Sequence, residues 1–433
     1  MGNRLKQAFQ NKYFKNLLTI GLGAAIAQAI PVLASPILTR IFSPDAFGIF
    51  ANYSALMAFL VVINTGKYEL AIILPKEHKD AINIVALSFF ILCLSTVGLL
   101  LIFALIAKPF ASYLGNEAIS GWIVLTPLGA FFANLYIILN EWYIRKDNYS
   151  GLSKNRIGNT ASIAGSSLLF GTAKVNLGLI WGQICGQIIS IFLALKRIFA
   201  EDKGLLKYVS KKKVAYYAKR HVNFAKYIIP GQLLNTAATL IAISLITYKF
   251  GFFQAGLIAL IDRVFGVPIS VIANSVNDVF KLQVTETYRN KGNCLKAYKK
   301  VVLGLLGIAI VPFSILFFAS PALFPFIFGQ EWALAGSYAQ ALCFMFLLNL
   351  ISMPTRWVFM VAEKQRIEFF WQIIFATLNI CPILIGILFF DIYTTILLWS
   401  LGKSVSYVIF LIMTYSITKR TLNVPFKQSQ QIA

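Results

Sequence analysis

Residues 31–74 read PVLASPILTRIFSPDAFGIFANYSALMAFLVVINTGKYELAIIL and decide the fold. An apolar run ends at Arg40, the chain turns at Ser43-Pro44, and a second apolar run continues to Gly66. A helix of about 20 apolar residues spans the hydrocarbon core of a bilayer, and each of the two runs is long enough. The stretch therefore predicts a transmembrane helical hairpin with a very short turn.

The composition places the whole chain in the membrane. Of the 433 residues, 58% are hydrophobic and only 13% are charged, whereas about a quarter of the residues in a soluble domain are charged. The net charge of +23 lies in short loops between apolar runs, a placement that argues against nucleic acid as a partner. Four of the five cysteines fall inside apolar runs and one falls in a basic loop, so no disulfide framework is expected.

Scanning for apolar runs predicts an all-α polytopic protein with about twelve transmembrane helices. The fifth run is short and rich in small residues, and Gly158, Ser162 and Ser166 recur on one face that is suited to close helix packing. The expected spans are 17–39, 45–66, 81–107, 118–142, 157–173, 176–195, 226–248, 255–280, 299–319, 334–360, 367–390 and 392–416.

The distribution of Lys and Arg predicts the orientation. When the helices alternate in direction, most of the 39 basic residues fall on the side that holds the N-terminus. The opposite side holds only Arg40, Lys108, Lys174 and Lys249. Basic loops stay in the cytoplasm, so both termini are expected there.

A basic segment near the middle divides the chain into a bundle at 1–196, a cytoplasmic linker at 197–225, and a second bundle with a cytoplasmic tail at 226–433. We expect the linker to touch anionic lipid headgroups. A shift of 208 residues aligns 38–51 with 246–259, and this alignment pairs Gly48 with Gly256. Both copies would enter the membrane from the same side, which predicts two six-helix bundles related by a parallel pseudo-two-fold repeat.

Charged side chains inside a membrane are costly and usually face a cavity or a partner. The candidate cargo-binding cations are Lys403, Arg263, Arg356 and Arg40. The first three would face an anionic cargo in a central cavity between the bundles, and Arg40 would lie at the outer rim. The alternative is that these cations pair with local carboxylates or extend to an interface, and for Arg356 this alternative is slightly favoured.

Other polar residues in or near the helices are candidates for gating or ion coupling. Asn274 and Asp278 are four residues apart on one helix face. The full set is Glu69, Glu141, Asp262, Asp278 and Asn274.

Enzyme chemistry has little support in the sequence. Both histidines, His78 and His221, fall in expected cytoplasmic segments, and no Cys/His cluster has the spacing of a metal site. No GxxxxGK loop for phosphate is present, so no cofactor is expected beyond a coupling H⁺ or Na⁺.

Two motifs carry a resemblance to a known family. The stretches GAAIAQAIPVLASPILTRIFSPDAFGIF (23–50) and TGKYELAIILPK (65–76), together with the chain length and the central basic segment, resemble the Wzx-type flippases. These form the polysaccharide-transport branch of the MOP superfamily, which also holds the MATE antiporters and the MurJ flippases. The resemblance implies a MATE/MurJ-like fold in a bacterial inner membrane.

The resemblance also implies the function: transfer of undecaprenyl-pyrophosphate-linked oligosaccharide to the periplasmic leaflet for O-antigen or capsule synthesis. The transfer would proceed by alternating access of two rocking bundles, driven by an ion gradient. A polysaccharide polymerase and a chain-length regulator are possible partners. Three alternatives stay open: a MATE-like cation or drug antiporter, a membrane glycosyltransferase or polymerase, and a scaffold for the assembly machinery.

Overall fold

The structure is a computed structural model. It describes residues 2–113, 115, 120–291, 294–362 and 364–419. The side chains are described from Thr19 onward, and those of 278, 282, 285, 286, 288–291 and 365 lie outside this description.

Within these residues the chain forms helices and no strand, which confirms the all-α prediction. The α-helices are α1 (Gly2–Ile41), α2 (Pro44–Ile63), α3 (His78–Tyr113), α4 (Ser120–Arg145), α5 (Tyr149–Thr172), α6 (Gly178–Asp202), α7 (Lys211–Arg220), α8 (Val222–Ile261), α9 (Val267–Lys291), α10 (Leu295–Phe328), α11 (Ala333–Ser352), α12 (Trp357–Val361), α13 (Gln365–Phe389) and α14 (Ile392–Lys419).

Ten segments of the described chain are long and apolar enough to cross a membrane, so the protein is a multi-pass membrane protein. One of these segments, Val222–Lys281, holds two of the predicted spans, because the helical backbone breaks at Gly251. The predicted fifth span lies in α5, whose sequence is too polar for the ten. Eleven of the predicted spans thus lie in apolar segments of the described chain and α5 is the more polar twelfth helix, in agreement with the expectation of about twelve.

Local sequence explains the turn between α1 and α2. Ser43 has an extended backbone, and its hydroxyl accepts a hydrogen bond from the Ala46 N–H at 3.4 Å, which makes Ser43 the N-cap of α2. Pro44 occupies the first helical position, where its missing N–H costs nothing. Asp45 places a negative charge in the first turn, at the positive end of the helix dipole.

The predicted repeat is visible in the backbone at the second turn. Gly251, which the shift of 208 residues aligns with Ser43, has φ 87° and ψ 170° and is the non-helical residue inside α8. The start of α2 and the part of α8 after Gly251 cross so closely that a Cβ on Gly48 would overlap the Phe252 carbonyl. A Cβ on Gly256 would overlap the Pro44 carbonyl. The two contacts are equivalent under the repeat.

Helices α5 and α6 also pack closely, but only partly as predicted. A Cβ on Gly182 would overlap Ser167, and a Cβ on Gly186 would overlap the backbone of Ile163. The close approach therefore depends on the glycines of α6. The prediction that Gly158 contributes was wrong, because nothing lies within 4 Å of the position of its Cβ.

The chain forms two compact units, Met1–Gly256 and Leu257–Ala433. The division into bundles at 1–196 and 226–433 with a linker at 197–225 stays a prediction. Within the first unit, most of the central basic segment is helical. Helix α6 extends to Asp202, a 3₁₀ turn follows at Lys203–Tyr208, and α7 completes the segment.

Helix α7 and the 3₁₀ turn before it are held against the rest of the first unit. Asn83 on α3 donates to the Tyr208 carbonyl at 3.2 Å and accepts from the Ser210 N–H at 2.9 Å. Lys213 pairs with Asp80 at 2.8 Å, and this hydrogen bond raises the pKa of the lysine. The sequence did not predict this attachment.

Candidate functional site

The first candidate region is the turn that follows α2. Gly66 and Lys67 both have φ of 61°, a left-handed conformation that is unfavourable for a residue with a side chain. Strained backbone of this kind concentrates at functional sites. The turn buries an ion pair, because Lys67 is 8% exposed, Glu69 is 1% exposed, and their charged atoms are 3.7 Å apart.

Glu69 also interacts electrostatically with a second acid, Glu141 on α4, which in turn interacts with Arg156 on α5. The Oε2 atom of Glu69 is buried and has no hydrogen-bond partner in the described part of the chain. The structure thus brings together two of the predicted coupling residues, in an arrangement where a proton or a small cation would relieve repulsion between the carboxylates.

Two buried asparagines add to the polar interior of the first unit. Asn64, at the end of α2, and Asn134, on α4, are both fully buried. Neither Asn64 side-chain polar atom has a hydrogen-bond partner within the described residues, and the same is true of the Asn134 Oδ1 atom. Unsatisfied polar groups are expensive in a protein interior, so these atoms are candidates for binding water or a ligand.

The second candidate region lies in the second unit, around the π-helical turn Asp262–Gly266 that joins α8 to α9. Such turns are frequent at functional sites. Asp262 is exposed, and it interacts electrostatically with Lys403 on α14, which is half-buried. The Lys403 Nζ atom lies 4.8 Å from the centroid of the Trp399 ring. The structure therefore combines a predicted coupling acid with a predicted cargo-binding cation.

Arg263 and Arg356 have different surroundings. Arg263 is half-buried on the same π-helical turn as Asp262. Arg356 pairs with Glu368 at 2.9 Å and lies over the Trp371 ring. For Arg356 the structure thus shows the local ion pair that was the favoured alternative, while its role toward cargo stays a prediction.

The remaining predicted residues are not brought into these clusters. Arg40 is exposed at the end of α1, just before α2 begins, whereas Glu69 follows the end of α2. The 20 residues of α2 span about 30 Å, so the two residues lie near opposite ends of this helix. Asn274 is exposed on α9. The side chain of Asp278 lies outside the described residues.

Lys67 and Glu69 were both expected at the inner end of the hairpin, as a place for loading or gating, but their ion pair was not predicted. The opposite charges in the run TGKYE were a usable signal. Glu368 was not selected. Glu368 is 12 residues beyond Arg356 and belongs to another helix, so only the tertiary structure reveals the pair.

Comparisons with known proteins give the family and the fold. A family profile described as "polysaccharide biosynthesis protein" matches residues 37–337. None of the curated proteins matches the sequence. The solved structure of the lipid II flippase MurJ in an inward closed conformation has a TM-score of 0.74 at 11% identity, covering 92% of this chain and 87% of that chain.

Two transporters of the MOP superfamily are similar as well. An inward-facing multidrug resistance MATE transporter has a TM-score of 0.70 at 12% identity, covering 91% of this chain and 96% of that chain. A MOP superfamily transporter from Pyrococcus furiosus has a TM-score of 0.62 at 14% identity, covering 94% of this chain and 97% of that chain. At these identities the likeness shows the fold alone, and it confirms the MATE/MurJ-like architecture.

Proposed function

The chain belongs to the polysaccharide biosynthesis protein family, and from this premise we propose that it is a lipid-linked oligosaccharide flippase. Its cargo is an undecaprenyl-pyrophosphate-linked repeat unit, which it moves from the cytoplasmic to the periplasmic leaflet of a bacterial inner membrane for O-antigen or capsule synthesis. The lipid II flippase MurJ, whose fold it shares, supplies the analogy for a lipid-linked cargo.

The observation that carries this proposal is the placement of cations within the membrane-spanning helices of the second unit. Lys403 lies near the middle of α14, Arg263 lies on the π-helical turn that joins α8 to α9, and Asp262 is the carboxylate that interacts with Lys403. Charged residues within membrane-spanning segments usually serve function. A pyrophosphate is a multiply charged anion, and a guanidinium binds two of its oxygens at once.

Coupling of alternating access to an ion gradient requires a group that changes charge or occupancy during the cycle. Glu69 and Glu141 suit this role, because one proton or one Na⁺ shared by the two carboxylates would relieve their repulsion. The excess of basic residues on one side supports cytoplasmic termini. A polysaccharide polymerase and a chain-length regulator are the partners that would consume and shape the product.

The test is reconstitution of the full-length protein into liposomes with a labelled undecaprenyl-pyrophosphate oligosaccharide, scoring exchange between leaflets with a membrane-impermeant reagent. Lys403→Ala and Arg263→Ala are each expected to slow exchange about tenfold or more, since a charge-assisted contact contributes about 1.5–3 kcal/mol. Lys419→Ala is the matched control, because this exposed lysine ends the same helix as Lys403.

Two results would contradict the proposal. Exchange at the wild-type rate in both variants, Lys403→Ala and Arg263→Ala, would remove the assigned role of the cations. Extrusion of organic cations without any exchange of the labelled lipid would instead establish the MATE-like antiporter.

A further inference from the structure

A cavity of about 220 Å³ opens where the end of α4, the start of α5 and the end of α6 meet, within the unit Met1–Gly256. It is separate from the Glu69 turn and from the Asp262 region. Two cations line it, Lys154 from α5 and Arg197 from α6, which are exposed at its mouth. Its further lining residues are Tyr143, Asn148, Ser150, Gly151 and Glu201.

The first turn of α5 gives one wall of this cavity a positive potential. Asn148 caps the helix by accepting a hydrogen bond from the Gly151 N–H at 2.8 Å, and Ser150 lies in the same turn. The N–H groups that begin a helix point out of it and favour an anion. Lys154 adds its charge one turn further along the same helix.

Tyr143 provides an independent sign of a ligand. The tyrosine comes from α4 and is 4% exposed, yet it lines the cavity. Its hydroxyl is buried, and Arg197 is near enough to donate a hydrogen bond to its oxygen. A guanidinium has no acceptor, so the hydroxyl proton has no acceptor within the described residues. A buried hydroxyl beside a guanidinium is a donor suited to an anionic oxygen.

We infer that this cavity binds a phosphate group, held by Lys154, Arg197 and the Tyr143 hydroxyl. Glu201 also lines the cavity, so the lining carries one net positive charge. That balance suits the singly charged phosphodiester of a phospholipid, and Glu201 can pair with the ammonium of a phosphoethanolamine. The inference does not depend on the identity of the transported cargo.

The surface beside the cavity favours a lipid as the source of the phosphate. Helix α6 exposes large apolar side chains at Ile189 and Leu193. These two residues and Arg197 follow one another at intervals of four, so they run along one side of the helix. An acyl chain can lie along this side with its headgroup at Arg197, which follows Leu193 by about one turn.

The experiment measures bound phosphate on the purified full-length protein by native mass spectrometry. Separate arms contain phosphatidylethanolamine, phosphatidylglycerol, or inorganic phosphate without added lipid. The test variant combines Lys154→Gln with Arg197→Gln. The matched control combines Lys196→Gln with Lys203→Gln. It removes the same charge from exposed residues of the same region that do not line the cavity.

The wild type and the control are expected to retain one phospholipid, and the test variant to bind it at least about tenfold more weakly. Tyr143→Phe, which keeps the ring in place, is expected to weaken binding less. Specific binding in the inorganic phosphate arm alone would support the phosphate site and identify free phosphate as its source. Equal retention by the test variant and the control, in every arm, would overturn the inference.

Discussion

The close crossing of α2 and α8 leads to a sharp prediction for Gly48. A methyl group at this position would overlap the Phe252 carbonyl, so Gly48→Ala must push the two helices apart. Overpacking of this kind costs about 1–3 kcal/mol. The same displacement would stretch the 2.7 Å hydrogen bond from Asn52 to Thr247, which adds about 1 kcal/mol. We therefore expect Gly48→Ala to destabilise the protein by about 2–4 kcal/mol.

The assay is thermal unfolding of the purified protein, and the matched control is Gly98→Ala. Gly98 lies in the helix α3, and nothing lies within 4 Å of the position of its Cβ. Its replacement is expected to stabilise the helix by about 0.5–1 kcal/mol. For a chain of this length the Tm of Gly48→Ala should fall by about 2–4 °C, whereas the Tm of the control should hold or rise. Equal Tm values for the two variants would refute the crossing.

The repeat-related contact makes the prediction stricter. Gly256 meets the Pro44 carbonyl in the way that Gly48 meets Phe252. Once one alanine has moved the helices apart, the second meets less resistance. The double variant Gly48→Ala with Gly256→Ala should therefore be less destabilised than the sum of the single variants. Strict additivity would mean that the two positions do not share one crossing.

Three further predictions concern the polar contacts. Asn83→Leu removes two hydrogen bonds to the segment before α7. Amide exchange at Ser210 should therefore rise at least about tenfold, as measured by hydrogen-exchange mass spectrometry. Unchanged exchange would show that the attachment does not depend on these two hydrogen bonds. Glu69→Gln leaves the buried Lys67 unpaired and should lower the free energy of unfolding by about 3 kcal/mol, measured by thermal unfolding. The control Glu77→Gln replaces an exposed acid and should change it little. Equal effects of the two substitutions would contradict the buried ion pair. Arg356→Gln breaks a partly exposed pair with Glu368 and a contact with the Trp371 ring, and it should cost about 1–2 kcal/mol by the same measurement. A loss above about 3 kcal/mol would contradict the partly exposed pairing.

The sequence predicted the features that are written in local patterns. The hairpin turn needs a capping serine, a proline at the first helical position and an acidic first turn, and Ser43, Pro44 and Asp45 supply all three within three residues. The repeat shift placed Gly251 opposite Ser43, and the backbone of α8 does break there. Helix existence followed from length and hydropathy alone.

The partnerships among charged residues could not be predicted in the same way. Glu69 and Glu141 belong to different helices, and so do Asp262 and Lys403, which lie far apart in the sequence. Hydropathy reports whether a residue is inside the membrane and carries no information on which helix faces it. The attachment of α7 was not predicted for the same reason, since Asn83 and Asp80 on α3 bond to residues that lie far later in the sequence.

The two repeat-related turns reach a similar geometry by different chemistry, which explains why so little of the repeat is visible in the sequence. The first turn is built locally, with the Ser43 cap and Pro44. The second has a glycine at the equivalent position, and Gly251 adopts its φ of 87° because it carries no Cβ. Side chains at the turns are therefore free to differ, whereas the crossing tolerates only glycine on both sides. Gly48 and Gly256 stay identical because each faces the backbone of the other turn, where no side chain can give way.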